Sequence, residues 1–343
     1  MVATTLVVDV VSCQYPAMDC FTEKDVDPSV LDGRRVAVVG FGNLGRSIAL
    51  NLRDSDIDVV VGNIDDEYRN DAREAGFEAL PIARAVSGAD VVFALVPDEE
   101  LGGCFAREIE PALKAGSAVA FGSGYCLAYG LVVPPASVDV LLVAPRMVGA
   151  NVRDAFLSGR GFVTYVSVEQ DASGHARARL LALAHASGCL LRGAYVLPAR
   201  DEALLDLFVE QSFGPVVGIA LQSAFDAGVR AGLDPEALVL EMYMSGEMQE
   251  TFRTFAEHGF YGSVLGHGFT AAFGGYLRSL DIDMAAMTDR FAAIADDIKS
   301  GGFARTLQAE QDAGSPTRDV IAAVVGGDDP MTRAEDRVRR GIS

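Results

Sequence analysis

Residues 34–55 read RRVAVVGFGNLGRSIALNLRDS, and no other stretch of the chain constrains its fold as tightly. A short Val-rich run, the composition of a strand buried on both faces, leads straight into Gly40, Gly42 and Gly45 in G-x-G-x-x-G spacing. Ile48, Leu50 and Leu52 then supply the apolar residues of a helix. The glycine spacing alone is weak, but a strand before it and a helix after it give it meaning. The first glycine permits a tight turn, the second lets the backbone approach a pyrophosphate, and the third lets helix and strand pack closely. Residues 40–45, with Phe41, Asn43 and Leu44 between the glycines, are therefore expected to bind a dinucleotide at a helix amino terminus. A ligand-free strand-to-helix turn is the alternative.

A second strand pattern, DVVVG at residues 58–62, runs into NIDDEYRN. In such a fold the end of this strand meets the adenine ribose, where Asn63, Asp65 and Asp66 are the expected contacts. Carboxylates accept from a ribose hydroxyl and repel a 2′-phosphate, and no basic residue appears before Arg69. The expected cofactor is NADH rather than NADPH, with a solvated acidic loop as the alternative. Strand patterns recur at residues 89–100, 116–125, 138–146, 161–170 and 194–197, and helical ones at 105–113 and 176–187. In the first of these, Leu95, Val96 and Pro97 form a loop expected to face the cofactor. The alternation predicts an α/β, Rossmann-type, doubly wound and mainly parallel sheet.

After Pro198 the pattern becomes helical to about residue 302, which predicts an all-α second domain. Half of the 343 residues are hydrophobic, enough for a large core. The formal charge of −20 argues against nucleic-acid and anionic-membrane partners, and its plain reading is a solvated surface. No unbroken apolar run approaches the length of a membrane span, and the opening residues lack a basic head, so a soluble cytoplasmic protein is expected. Five cysteines without C-x-x-C spacing fit reduced thiols better than a disulfide framework or a zinc site. The polar residues 326–343 are expected to be exposed or loosely docked.

Residues 204–211, LLDLFVEQ, place Asp206 and Glu210 four apart, on one face of a helix among Leu, Phe and Val. Acids on so apolar a strip need a partner. A metal ion, an interhelical ion pair and solvent all remain open from the residues themselves.

Taken in order, FTEKDVDPSVLDGRRVAVVGFGNLGRSIALNLRDS (21–55), LVPDEE (95–100), VVPPASVDVLLVAPR (132–146), QDASG (170–174), DLFVEQ (206–211) and TAAFGGY (270–276) resemble the ketol-acid reductoisomerases. These enzymes use magnesium to migrate an alkyl group in an acetohydroxy acid and then reduce the product. The resemblance implies a knotted helical domain and a homodimer whose active site is shared between subunits. It begins near Met18, which suggests an N-terminal extension over 1–17, or a start at Met18. A Rossmann domain over 18–197, a helical substrate, metal and dimerisation domain over 198–325 and a polar tail over 326–343 would follow.

By the same resemblance Asp206 and Glu210 are magnesium ligands, and Glu241 completes the site from a partner subunit. The departures fall on the chemistry. Ser123 stands where the family has a histidine, and a hydroxyl cannot shuttle a proton as imidazole does. Arg146 stands where the family has a lysine and keeps the charge without releasing a proton. The second family glutamate, four residues after Glu241, falls at Ser245, so one magnesium ligand is missing. Gly266 and Gly268 replace the substrate-binding serines, and His267 between them is a candidate substitute proton donor, with a packed or exposed histidine as the alternative. For the rest the alternatives are an ion pair at Asp206 and Glu210, a solvated acid at Glu241, a space-filling Ser123 and an interface role for Arg146.

Alkyl migration needs two metals and a route for the hydroxyl proton, whereas hydride transfer needs a positioned nicotinamide and a polarised C=O or C=N. The expected function is therefore an NADH-dependent reductase, of an imine or a 2-oxo acid, that has lost isomerisation. A working ketol-acid reductoisomerase and a catalytically silent nucleotide-binding partner or sensor are the alternatives.

Overall fold

Valine runs buried on both faces assemble into one nine-stranded sheet in the computed structural model, which describes residues 17–263 and 268–342. The chain divides between Ala203 and Leu204 into two compact units. The strands of the first unit are β1 (Cys20–Phe21), β2 (Arg35–Val39), β3 (Asp58–Gly62), β4 (Glu78–Leu80), β5 (Val91–Ala94), β6 (Ala118–Phe121), β7 (Asp139–Pro145), β8 (Thr164–Gln170) and β9 (Ala194–Val196). Their order is β1-β9-β8-β7-β6-β5-β2-β3-β4. β2 pairs in parallel with β3 on one side and β5 on the other, Val38 lying opposite Val61 and Phe93. The chain winds outward in opposite directions from these two neighbours, so the crevice beyond their carboxyl ends is a switch point where such sheets bind ligands.

The doubly wound fold is present as expected, with two refinements. β8 runs antiparallel to β7, and β1 antiparallel to β9. The sequence patterns missed β4 and the flanking helices Glu67–Glu74 and Ile82–Gly88, because a three-residue edge strand with one buried residue, Ala79, carries no measurable period. Fully buried Phe93, Phe121, Leu141 and Leu142 lie on the central strands. Each contributes roughly 1.5–3 kcal/mol of apolar burial.

The described part of the second unit is helical. Phe225 and Val239 meet Ala334 and Val338 in a small core. Asp234 caps the helix Pro235–Val239 through the Glu236 and Ala237 amides, and a π-helix, Leu240–Met244, continues it.

Two expectations are refined here. The tail is largely exposed, as expected, but it is helical and docked at two points: Pro330–Ile342 form a helix that buries Ala334 and Val338, and Tyr243 donates to Glu335. Its many charges face outward and hid two small inward residues. The segment Ala199–Arg230 is also long and apolar enough to cross a membrane by length and composition, and little of it is buried. Gly, Ser and Gln interrupt its apolar runs, which is why no unbroken run was visible.

Candidate functional site

Backbone conformation at the glycine turn is set by close contact. Gly40 has φ +94°, and a Cβ there would stand 2.7 Å from the Leu95 carbonyl oxygen. At Gly45 a Cβ would stand 1.9 Å from the Gly40 carbonyl oxygen, so this glycine sets the packing of helix on strand. Gly42 differs, because nothing lies within 4 Å of its missing Cβ. It is the N-cap of the helix Asn43–Asp54 and provides no side-chain cap. The turn therefore leaves open, toward a cleft of about 860 Å³, the space and amides that an anion requires.

Gly40, Phe41, Gly42, Asn43 and Leu44 line this cleft together with Asn63, Asp66, Leu95, Val96, Pro97 and Ser123. Asn63 is nearly buried and accepts from the Phe41 amide at 3.0 Å while donating to Asp66 Oδ1 at 2.7 Å. The same Asp66 oxygen accepts from the Arg69 amide at 3.2 Å and so caps the helix Glu67–Glu74. Asp65 is not part of the cleft lining. It is 85% exposed and pairs with Arg69 at 3.5 Å, while Arg69 Nε donates to the Ile64 carbonyl.

At the other end of the cleft, the Ser123 hydroxyl donates to Asp98 Oδ2 at 3.2 Å and accepts from the Tyr125 amide at 3.2 Å. The Cys126 thiol donates to the Asp98 carbonyl at 3.4 Å. Burial first, and Asp98 and Glu99 after it, push this thiol up to about 12. Burial, with Cys126, Tyr129 and Asp98 adding to it, pushes the Tyr125 phenol up to about 12 as well.

Between Ser123 and Tyr125 the chain packs closely against the helix Ala199–Gln211. The Gly124 amide donates to Glu202 Oε2 at 2.7 Å, and a Cβ at Gly124 would stand 2.0 Å from the Ala199 carbonyl oxygen. Glu202 has no exposed side-chain surface, and its other oxygen accepts from Arg146 Nη2 at 2.7 Å. Arg146 also lies over the Tyr165 ring at 5.3 Å. The cation expected to hold substrate is thus bonded to a buried carboxylate.

In the second unit, Asp206 is half-buried and Glu210 exposed on the helix Ala199–Gln211. Glu241 is exposed on the π-helix, and Ser245 accepts from the Glu247 amide. Among the described residues no three His, Cys, Asp or Glu side chains form a metal cluster. Gly266 and His267 lie outside the described residues, and Gly268 is the N-cap of Phe269–Ser279.

Glu202 and Asp98 were not singled out from sequence. Glu202 precedes Asp206 by four residues and shares its stripe, a signal that could have found it. Asp98 meets Ser123 only in the fold.

Residues 30–193 match the family described as acetohydroxy acid isomeroreductase, NADPH-binding domain, and residues 200–343 match ketol-acid reductoisomerase, C-terminal domain. A ketol-acid reductoisomerase (NADP(+)) of Kineococcus radiotolerans is 38% identical over 87% of both chains, and one of Renibacterium salmoninarum is 37% identical over 87% of both. The structure of an NADH-preferring ketol-acid reductoisomerase from an uncultured archaeon superposes with a TM-score of 0.88 at 30% identity, covering 94% of this chain and 99% of that one.

The glycines separate binding from folding. Gly42→Ala should leave the thermal midpoint unchanged and weaken dinucleotide affinity at least about tenfold, or 1.4 kcal/mol. Gly45→Ala should lower the midpoint itself, because its Cβ meets backbone. Calorimetric melting and fluorescence titration check both; equal effects of the two variants would contradict this account.

Proposed function

This chain belongs to the ketol-acid reductoisomerase family and is an NAD(P)-dependent oxidoreductase, and from that premise we propose that it uses NADH to reduce a C=O or C=N group of a small, carboxylate-bearing substrate without first migrating an alkyl group. The observation that carries this reading is the state of Arg146. At the family lysine position stands a guanidinium bonded to the buried carboxylate of Glu202, a cation suited to hold or polarise substrate and unsuited to give up a proton. Ser123 in place of imidazole and Ser245 in place of a carboxylate remove further parts that migration uses.

The acidic lip supports NADH. Asp66 lines the cleft, and Arg69 is occupied by Asp65 and the Ile64 carbonyl, so this loop lacks a cation positioned for a 2′-phosphate. Another cation of the cleft, Arg107, sits on the helical segment after β5, its guanidinium close to Gly103. Asp206 and Glu210, hard oxygen donors on one helix stripe, suit magnesium, and Glu241 of a second copy would complete the set. When bound, the ion would polarise a substrate oxygen.

The described helical unit leaves Ile219, Phe269, Phe273, Tyr276, Val324 and Val325 more than half exposed. A surface this apolar suits a second copy of the chain rather than water. A homodimer is therefore proposed, and light scattering should give twice the chain mass. A monomer mass at micromolar concentration would count against it.

Identities of 37–38% to ketol-acid reductoisomerases over most of both chains favour a second reading, that the family reaction survives. Nucleotide consumption separates the two. With NADH, the already migrated 3-hydroxy-3-methyl-2-oxobutanoate should be reduced and 2-acetolactate should not, and NADPH should be at least about tenfold poorer. Comparable turnover of acetolactate would establish the second reading.

A further inference from the structure

At the opposite end of the sheet from the nucleotide cleft lies a second cavity, of about 310 Å³. Its wall residues Arg34, Asp90 and Ser117 immediately precede or open the strand segments β2, β5 and β6, whose carboxyl ends lead to Gly40, Leu95 and Gly122 of the cleft. The four residues of β5 put roughly 13 Å between the two. Arg34, Lys114, His175 and Arg179 line this cavity, and Asp90 is the one carboxylate residue on its walls among the described residues. Three permanent cations against one acid is a local reversal in a chain of formal charge −20. We propose that the cavity binds a small polyvalent oxyanion, phosphate or polycarboxylate, at a site separate from the nucleotide cleft.

The cations are held in place with donors to spare. Arg179 Nη1 donates to Asp139 Oδ2 at 2.9 Å and to the Gly116 carbonyl at 2.7 Å. Asp139 has no exposed side-chain surface and is not part of the cavity wall, and it accepts in addition from the Ala172 and Ser173 amides and the Ser173 hydroxyl. This network anchors one nitrogen of the guanidinium. Its Nε and Nη2 have no protein acceptor among the described residues, and these two N–H groups form the fork that matches two oxygens of an anion. Arg34 is held more loosely, its pair with Asp90 Oδ1 being 3.6 Å long, while Asp90 Oδ2 accepts from the Arg35 amide at 3.0 Å. Lys114 and His175 are exposed and make no ion pair among the described residues. The Lys114 carbonyl accepts from the Ser117 amide at 3.0 Å and the Ser117 hydroxyl at 2.7 Å, which fixes the turn that carries the ammonium group.

A purely structural cluster would have carboxylates to draw on, because acids outnumber Lys and Arg by 48 to 28 in this chain. Elsewhere on the surface they are used: Arg253 pairs with Glu250 and Glu257, and Arg339 with Glu335 and Asp336. Here Lys114 and the outer nitrogens of Arg179 are left over. Unmatched donors around a bounded space suit a ligand that brings its own oxygens. The volume falls at the lower end of small-molecule sites, roughly 300–1,000 Å³. Three cations around one cavity suit a single small anion, whereas a nucleic-acid backbone needs an extended basic track.

The test is isothermal titration of the full chain with inorganic pyrophosphate and, separately, with citrate, against potassium chloride at matched ionic strength. Magnesium is left out, and the reduced nicotinamide nucleotide that the chain binds more tightly is present at saturation, so that the glycine turn is already filled. Wild type should bind at least one of the two anions at a single site. Lys114→Ala and Arg34→Gln should each weaken that binding at least about tenfold, and Lys114→Glu should abolish it. The melting temperature without anion and the nucleotide affinity should stay at wild-type values in all three variants, because both side chains are exposed and neither lines the nucleotide cleft. Tighter binding of pyrophosphate assigns the site to phosphate-bearing ligands and tighter binding of citrate to polycarboxylates, and either supports it. Absence of binding beyond the chloride control overturns the proposal. Binding that survives all three substitutions overturns it as well, because the anion would then sit elsewhere.

Discussion

A carboxylate without exposed surface joins the ends of two strands to the start of a helix. Glu202 accepts from the Gly124 amide after β6 and from Arg146 after β7, each at 2.7 Å. In an interior, taking one partner from such a pair leaves an uncompensated charge and costs roughly 3–5 kcal/mol. Gly124 must be a glycine because the helix backbone stands where its Cβ would be. The placement of Ser123, one residue earlier, follows from that contact. So does the orientation of Arg146, whose guanidinium is drawn to Glu202 and lies over Tyr165. The helix that begins at Ala199 continues to Asp206 and Glu210 on the stripe of Glu202.

The nucleotide half of the molecule was legible because its signals are local. Val-rich strands, glycines at fixed spacing and acids at the end of the second strand each act within a few residues. What escaped reading depended on distant partners or on weak periods. Ser123 reads as a lone hydroxyl, since Asp98, which accepts from it, is 25 residues away in the chain. Glu202 looks like an ordinary acid of a helix first turn until its burial is known. β4 is too short for alternation to register. The terminal helix turns two small residues, Ala334 and Val338, inward and covers the rest of itself with charge. In the carboxylate region, Asp206, Glu210 and Glu241 were found by spacing and by resemblance, and their role as ligands remains a proposal.

The proposed reading pairs the nucleotide cleft with altered chemistry around the reacting atoms. Gly42 leaves space for a phosphate, and Gly40 and Gly45 have no room for anything larger than glycine. By the resemblance, Arg146 stands for an amine, Ser123 for an imidazole and Ser245 for a carboxylate, and the proposed reaction rests on these three changes. Hydride transfer tolerates these changes, because it asks for position, polarisation and one proton. Migration of a carbon substituent asks for removal of a hydroxyl proton while two oxygens are polarised together, which the altered groups serve poorly.

The fate of carbon tests that central claim most directly. 2-Acetolactate labelled with carbon-13 at the migrating methyl group would be incubated with the enzyme, magnesium and NADH, and the products followed by carbon-13 NMR. The account predicts that the label stays on the carbon that bore it, whether or not the ketone is reduced. Appearance of labelled 2,3-dihydroxy-3-methylbutanoate, with the methyl group moved to the neighbouring carbon, would contradict it and return the chain to the reaction of its family.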